Sequence, residues 1–307
     1  MDSTIVVIQF LNGLQLGILL FLLASGLTLT FGIMDLINLA HGSFYMIGAF
    51  ICATATLLTG SFFWGILLAI PLTAIVAMLV EFTIIRSLYE RDHLDHVLAT
   101  FGLILCFDTG VQLVWGPEGI AIPIPAWLDG QVTLFGDVTF PVYRLLIIGS
   151  GLIIAFGLYW MVNHTRLGML IRAGASNRTM VAALGVNISF LFTIIFIVGA
   201  VLAGFAGMLI SPITEASIGM GNEIIITAFV VIIIGGIGSM KGAFVSAILI
   251  GLIDTMGRSF LDDLFKLALS EAAAETAAPA ISSMLIYLLM AVILAIRPQG
   301  LFPPKVR

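Results

Sequence analysis

No charged residue occurs between Ser3 and Met34, and none between Gly42 and Val80. Apolar stretches of that length exceed the roughly 20 residues that cross the hydrocarbon core of a bilayer. Lipid admits only helices and closed barrels there, because every backbone N–H and C=O must find its partner inside the protein. The remainder of the chain agrees: 61% of its 307 residues are hydrophobic and 9% are charged, against roughly 25% charged in a soluble domain. The fold class is therefore an all-α polytopic membrane protein. A net charge of −5 says little when the partner imposed by composition is the lipid bilayer, and nucleic acid is not an expected partner. The first apolar run lacks a basic stretch before it and is too long for a secretory leader. Cys52 and Cys106 lie inside apolar runs and read as small packing residues.

Apolar runs alternating with charged or turn-forming stretches predict about nine transmembrane helices, within a range of eight to ten, in a single membrane domain over 1–307. They fall near 6–33, 42–58, 62–85, 97–115, 142–162, 190–211, 224–238, 243–260 and 281–296. The basic residues test this count. Arg86, Arg91, Arg166, Arg172, Arg178, Lys241, Arg297, Lys305 and Arg307 all fall on one side, and only Arg144, Arg258 and Lys266 fall opposite. The basic-rich side is cytoplasmic by the positive-inside rule, which gives an outside N-terminus and a cytoplasmic C-terminus.

Between the spans, 163–189 is the longest cytoplasmic connection. Met169, Arg172, Ala173, Ser176, Met180, Ala183 and Leu184 recur at helical spacing, with Gly185 placed to end the helix. An outer loop, 116–141, runs from the Pro-rich "GPEGIAIPIPAW" into "QVTLFGDVTF", which alternates like a β-hairpin around Phe135, Gly136 and Asp137. It reads as a lid or filler, or as a docking surface. Residues 261–275 carry Leu261, Leu264, Phe265, Ala268 and Leu269 on one helical face, the pattern of an amphipathic helix in the outer interface. Two small-residue ridges, Gly199-Ala203-Gly207 and Ala243-Ala247-Gly251, let helices approach closely within the chain.

The most polar interruption is "DLINLAHGS", Asp35 to Ser43. Irregular backbone at membrane depth must face protein or a water-filled cavity. Asn38 and His41 offer hydrogen-bonding side chains, and Gly42-Ser43 can open a helix whose N-terminal amides favour an anionic group. The alternative is an ordinary cytoplasmic turn with a Ser cap, and polarity alone does not choose. A second Gly-rich break, Gly235, Gly236 and Gly238 before Lys241, interrupts the other half. Paired broken helices of this kind mark substrate sites in transporters. The H-x-x-H of His93 and His96 is too sparse for a metal site, so no metal is expected. Glu81 lies about one turn from Arg86 and should pair with it. Asp108 and Asp254 sit within apolar runs, where a carboxylate is costly. Asp108 has no partner nearby in sequence; it is either a proton or cation site or bonded to a neighbouring Thr or Gln, and the second is preferred.

Four stretches, "NGLQLG…ASGLTLTFGIMDLINLAHGSFYMIGAF", "RAGASNRTMVAALGVN", "GGIGSMKGA" and "RPQGLF", resemble in order and spacing the branched-chain amino acid ABC transporter permeases of the LivH/LivM type. The likeness covers nearly the whole chain. It departs at Lys241, where Pro is common, at Ser246, where Gly is common, and at Ser176 and Asn177, where acidic residues are usual. The resemblance implies a permease subunit of an ATP-binding cassette importer in a bacterial-type inner membrane, carrying branched-chain or related amino acids. Its implied partners are a second homologous permease subunit (a heterodimer rather than a homodimer), two ABC ATPase subunits that bind ATP, and an extracytoplasmic substrate-binding protein. By the same resemblance the 163–189 loop is the coupling helix, with Arg172, Ala173, Gly174, Arg178 and Gly185 at the ATPase contact. Asn38, His41, Gly42, Ser43, Gly235, Gly236 and Gly238 would line the substrate pathway. The chain has no G-x-x-x-x-G-K-[ST] phosphate loop and no nucleophile constellation, so it is read as a transport subunit, with no cofactor of its own and no enzymatic role. The alternative function is a stand-alone channel or ion-coupled carrier for a small polar solute such as urea or a short amide.

Overall fold

A computed structural model describes residues 3–135, 138–267 and 270–303. The described chain forms ten α-helices: α1 (Ser3–Met34), α2 (His41–Thr59), α3 (Phe62–Thr83), α4 (His93–Trp115), α5 (Val142–His164), α6 (Arg166–Ala183), α7 (Ile188–Thr214), α8 (Met220–Gly235), α9 (Met240–Lys266) and α10 (Glu271–Ile296). Eight of them are long and apolar enough to cross a bilayer. The apolar α8, at about 24 Å by helical rise, is shorter than a full crossing. Together these are the nine apolar helices expected from sequence, with the polar α6 between α5 and α7.

α1 is the central post. It is buried along Ile18–Leu29 and packs along α9, α7, α5 and α8. The small-residue ridges explain how. Gly199 meets Gly26, Gly251 lies against Gly13 and Gly17, and Gly207 abuts the Tyr45 carbonyl. Both ridges are spent on contacts within the chain. In contrast α3, α4, α5 and α10 keep most of their apolar surface outward, as lipid or another membrane subunit would require.

The outer loop contains the hairpin, β1 (Gln131–Phe135) paired antiparallel with β2 (Val138–Pro141). Gly136 and Asp137 of its turn lie outside the described residues. Ile120 and Ala216 exchange backbone hydrogen bonds at 2.8 and 3.0 Å, tying the Pro-rich stretch to the α7–α8 connection. The segment 261–275 differs from its expected form as one separate helix. α9 runs on through Lys266, because no Gly or Pro intervenes after Gly257 to stop it, and Glu271 already belongs to α10. Ala268 and Leu269 lie outside the described residues.

Candidate functional site

α1 ends at Met34, and Asp35, with φ of +55°, turns the chain. The chain does not stay at the end of the bundle. The His41 ring lies beside the Leu23 backbone, about 16 Å back along α1 from Met34 at 1.5 Å per residue. The Leu39 amide donates to Thr100 Oγ1 at 3.2 Å, nearly two turns inside α4. Phe44 then sets its ring edge-on to Phe107 at 5.8 Å. The 35–40 connection thus re-enters the helical layer, and α2 begins near its mid-depth.

The polar side chains of this re-entrant segment are fully enclosed. Asn38, His41 and Ser43 are 0%, 1% and 1% exposed. Both amide atoms of Asn38, Nε2 of His41 and Oγ of Ser43 have no partner among the described residues. A Ser-capped surface turn is not what forms: the helix is capped by Ala40, with no side-chain cap bond. Buried polar groups without partners each cost about 1–3 kcal/mol, so this arrangement stores a cost that a conventional turn avoids.

A second helix begins against the first. Glu215 and Gly219 take φ of +64° and +83° and turn the chain out of α7. Gly221, in the first turn of α8, then lies against Gly42: a Cβ on either would collide with the other's carbonyl, and one on Gly221 would also stand 3.1 Å from the Ser43 amide. Only two glycines allow this, and the result is two helix N-termini face to face inside the bundle. Beside Gly221, Asn222 Nδ2 donates to Asp108 Oδ2 at 2.8 Å. The partner of Asp108 is therefore Asn222 of α8, neither a Thr nor a Gln. Asp108 Oδ1 is buried without a partner.

On the hairpin side of the contact lies a cavity of about 500 Å³ between α1, α7, α8, α9 and α10, lined among others by Tyr45, Met220, Glu223, Asp254 and Arg258. Arg258 grips both carboxylate oxygens of Asp254 at 3.0–3.1 Å. This i,i+4 pair was legible in the sequence spacing and is absent from the sequence reading.

The second Gly-rich break is built differently. Gly238 lies under Gly32 of α1, and the C-terminal "PQGLF" folds back over the turn. Leu301 and Phe302 donate to the carbonyls of Ile234 and Gly235 at 2.8 and 3.0 Å. Gly300, with φ of +81°, sits on the Gly236 backbone. Gly235, Gly236 and Gly238 therefore lie at the end of the bundle, away from the α2–α8 contact.

α6 occupies that same end. Thr165 caps it by accepting from the Gly168 amide at 3.1 Å, and Arg172 reaches the Val162 carbonyl. Gly174 faces Ile33 of α1 and Leu191 of α7, Ala173 is half-buried, and Arg172 and Arg178 are exposed. The periodicity predicted one uninterrupted helix; the backbone breaks at Asn177, which leaves helical angles and whose Oδ1 accepts from the Met180 amide at 2.9 Å. An Asn competes with helix by such local bonds. Gly185, φ +88°, ends the helix as expected. Arg178 comes to 4.0 Å from Asp35, a contact between α6 and the start of the re-entrant segment.

Nearby, Glu81 is fully buried at the end of α3, bonded by Arg86 Nε and Nη2 at 3.3 Å and by the Tyr89 hydroxyl. Arg86 also donates to Thr193 of α7 at 3.2 Å. The Glu81–Arg86 pairing agrees with the sequence reading. Burial first, then the Glu81 hydrogen bond and charge, push the Tyr89 phenol well above its ordinary value. Neither His93–His96 nor any other His, Cys, Asp or Glu set of three forms a metal-holding group among the described residues.

Comparison with known proteins places this architecture. Residues 9–294 match the model of the branched-chain amino acid transport system / permease component family. The high-affinity branched-chain amino acid transport system permease protein BraD of Pseudomonas aeruginosa is 31% identical over 271 residues, covering 84% of this chain and 88% of that protein. LivH of Escherichia coli is 26% identical over 280 residues, with the same coverage. LivM of Salmonella typhimurium is 26% identical over 308 residues, covering 92% of this chain and 67% of LivM. No solved structure matches the chain.

Proposed function

The chain belongs to the branched-chain amino acid transport permease family, and we propose that it passes branched-chain or related amino acids along a path through the α2–α8 contact. It is the membrane-spanning permease subunit of an ATP-binding cassette importer. A binding protein delivers the amino acid to the hairpin side, above the cavity. Asn38, His41, Gly42 and Ser43 receive it at mid-depth, and Gly235, Gly236 and Gly238 flank the exit. Two ATPase subunits, holding the ATP, engage α6 through Arg172, Ala173, Gly174, Arg178 and Gly185, and a second homologous permease completes the membrane unit. The α6 end carries the excess of Arg and Lys and so faces the cytoplasm, with the N-terminus outside.

One observation carries the pathway: unpartnered, fully buried polar atoms at a helix N-terminus inside the bundle. Such groups are retained where a ligand or water satisfies them in another state. An amino acid's carboxylate suits the positive end of α2 together with the unpartnered Asn38 and Ser43 side chains beside it. The test is purification of the tagged chain from its native membrane in mild detergent, with partners identified and counted by mass spectrometry. A phosphate-loop ATPase at two copies per complex, together with a second permease, is the expected result. A chain recovered alone after crosslinking would overturn ABC coupling and leave the stand-alone carrier.

A further inference from the structure

Asp108 is placed where a carboxylate has no ordinary reason to be. It lies on the inward stripe of α4, four residues beyond Ile104 and eight beyond Thr100, both buried. It is next to Phe107, which packs on Phe44. Its one bonded oxygen is held by a neutral amide, Asn222, at 2.8 Å. The other is buried and unpartnered. None of the three ion pairs among the described residues includes it. An ionisable group inside a membrane bundle is paired with a counter-charge or marks a pathway. Here the first turn of α8 fixes the side chain's direction through Asn222 and offsets part of the charge through the positive end of the helix dipole, but brings no cation.

We propose that Asp108, oriented by Asn222, receives the ammonium group of the translocated amino acid, while the N-terminus of α2 takes its carboxylate. This rests on the importer reading above and assigns the two charges of the substrate to two elements. The N-terminus of α8 is committed to Asp108. That of α2 is not, since Asn38 and Ser43 beside it have no partners. The Gly42–Gly221 contact joins the two: Asn222, which holds Asp108, directly follows the glycine that touches the first turn of α2, so the negative and positive receptors stand on adjoining elements, as the two charges of an α-amino acid require. The unpaired Oδ1 is then the oxygen left open for the ligand. Of the carboxylates lining the cavity, Asp254 is occupied by Arg258 and offers no comparable vacancy.

The experiment uses the whole transporter in proteoliposomes, with L-leucine as the probe, and measures leucine taken up per ATP hydrolysed for wild type, Asp108→Asn and Asp108→Glu. Asp108→Asn keeps size and hydrogen bonding but loses the charge. It should lower leucine moved per ATP at least tenfold, with binding-protein-stimulated ATP hydrolysis within about twofold of wild type. Asp108→Glu should restore most of the ratio. The inference is overturned if Asp108→Asn keeps the wild-type ratio, or if Asp108→Glu is as defective as Asp108→Asn. A fall in hydrolysis and complex recovery in parallel with uptake would overturn it too, since that is a structural role. Should Asp108→Asn not assemble, Asn222→Ala, which keeps the carboxylate but frees it, should raise the KM for leucine in ATP-driven uptake several-fold; an unchanged KM overturns the inference. Wild-type complex that hydrolyses ATP but moves no leucine would instead sink the branched-chain reading on which the inference stands.

Discussion

The chain breaks its apolar pattern twice at glycine-containing polar turns, and the two breaks are finished in opposite ways. At the second, carbonyls at the end of α8 are given donors: Leu301 and Phe302 of the tail donate to Ile234 and Gly235, and Ser246 Oγ of α9 bonds the carbonyls of Val231 and Gly242 at 2.7 Å. At the first, Asn38, His41 and Ser43 are enclosed with atoms left over. The same kind of sequence makes a closed structural joint in one place and an unsaturated polar interior in the other. What separates them is the partner supplied. The second break receives the chain's own tail; the first receives α4, which bonds the Leu39 amide through Thr100, and the start of α8 through a glycine, and neither reaches the Asn38, His41 Nε2 or Ser43 polar atoms.

The contrast can be broken by filling each close approach. Gly221→Val would drive a branched side chain into the Gly42 carbonyl, and overpacking of this kind costs about 1–3 kcal/mol. Uptake should fall more than tenfold, beyond any loss of assembled complex. Gly300→Val places a β-branched residue at a φ of +81° against the Gly236 backbone, at a similar cost in stability. Here uptake per assembled complex should stay near wild type. Thermal unfolding and uptake measured on the same preparations separate the two. Equal loss of specific activity would show the second break to be part of the working path.

A sharper version replaces the unsaturated group. Asn38→Leu removes two unpartnered polar atoms at nearly constant volume and should stabilise the resting protein by about 1 kcal/mol or more, raising its unfolding temperature while lowering uptake severalfold. Ser246→Ala, at the satisfied break, should do the reverse, destabilising by about 1 kcal/mol with little effect on specific uptake. An Asn38→Leu protein that melts lower would mean that Asn38 has bonds the described residues do not account for.

The Glu81 cluster is a second satisfied site and should behave as one. Tyr89→Phe removes the bond to Glu81 and should cost about 1 kcal/mol. Because the Tyr89 phenol is raised when folded, its proton stays on in the native state while the unfolded Tyr ionises near pH 10. Its contribution is therefore complete below about pH 10 and declines as pH rises beyond it. Unfolding temperatures between pH 8 and pH 11.5 should fall less steeply in Tyr89→Phe than in wild type. The smallest effect is reserved for Arg178→Ala. At 4.0 Å, with the two side chains 46% and 55% exposed, the link to Asp35 contributes between zero and about 1 kcal/mol. Stability should hold, and any drop in leucine moved per ATP would report communication between α6 and the re-entrant segment.

Much of this was legible in residues taken singly or at short spacing. The nine apolar runs, the hairpin at 131–141, the helix at 166–183 and the Glu81–Arg86 pair each depend on neighbours within a few positions. The polar break was visible too, but not its depth, because depth is set by Leu23, Thr100 and Phe107, which lie far away along the chain. Asp108 shows the limit most clearly. Its partner, Asn222, is 114 residues on, in a turn whose sequence reads only as a loop. Gly221 carries no signal that it will meet Gly42. The break at Asn177 was hidden because the side-chain periodicity runs straight through it, although an Asn before Met180 is a familiar competitor of helix.

The depth of the 35–40 segment has a consequence for how the protein is made. Its enclosure needs α4, which supplies Thr100, and α8, which supplies Gly221. Yet it is synthesised before either, and lipid cannot stand in for them. At roughly 5–20 residues per second, about 180 residues and some 10 to 40 seconds separate the emergence of His41 from that of Gly221. During that interval α1 and α2 cannot settle as a finished hairpin in the bilayer. The earliest polar segment to leave the ribosome is thus among the last to be buried, and nascent chains halted before α8 should hold it in water, open to a thiol reagent at Ser43→Cys and closed to it once α8 is complete.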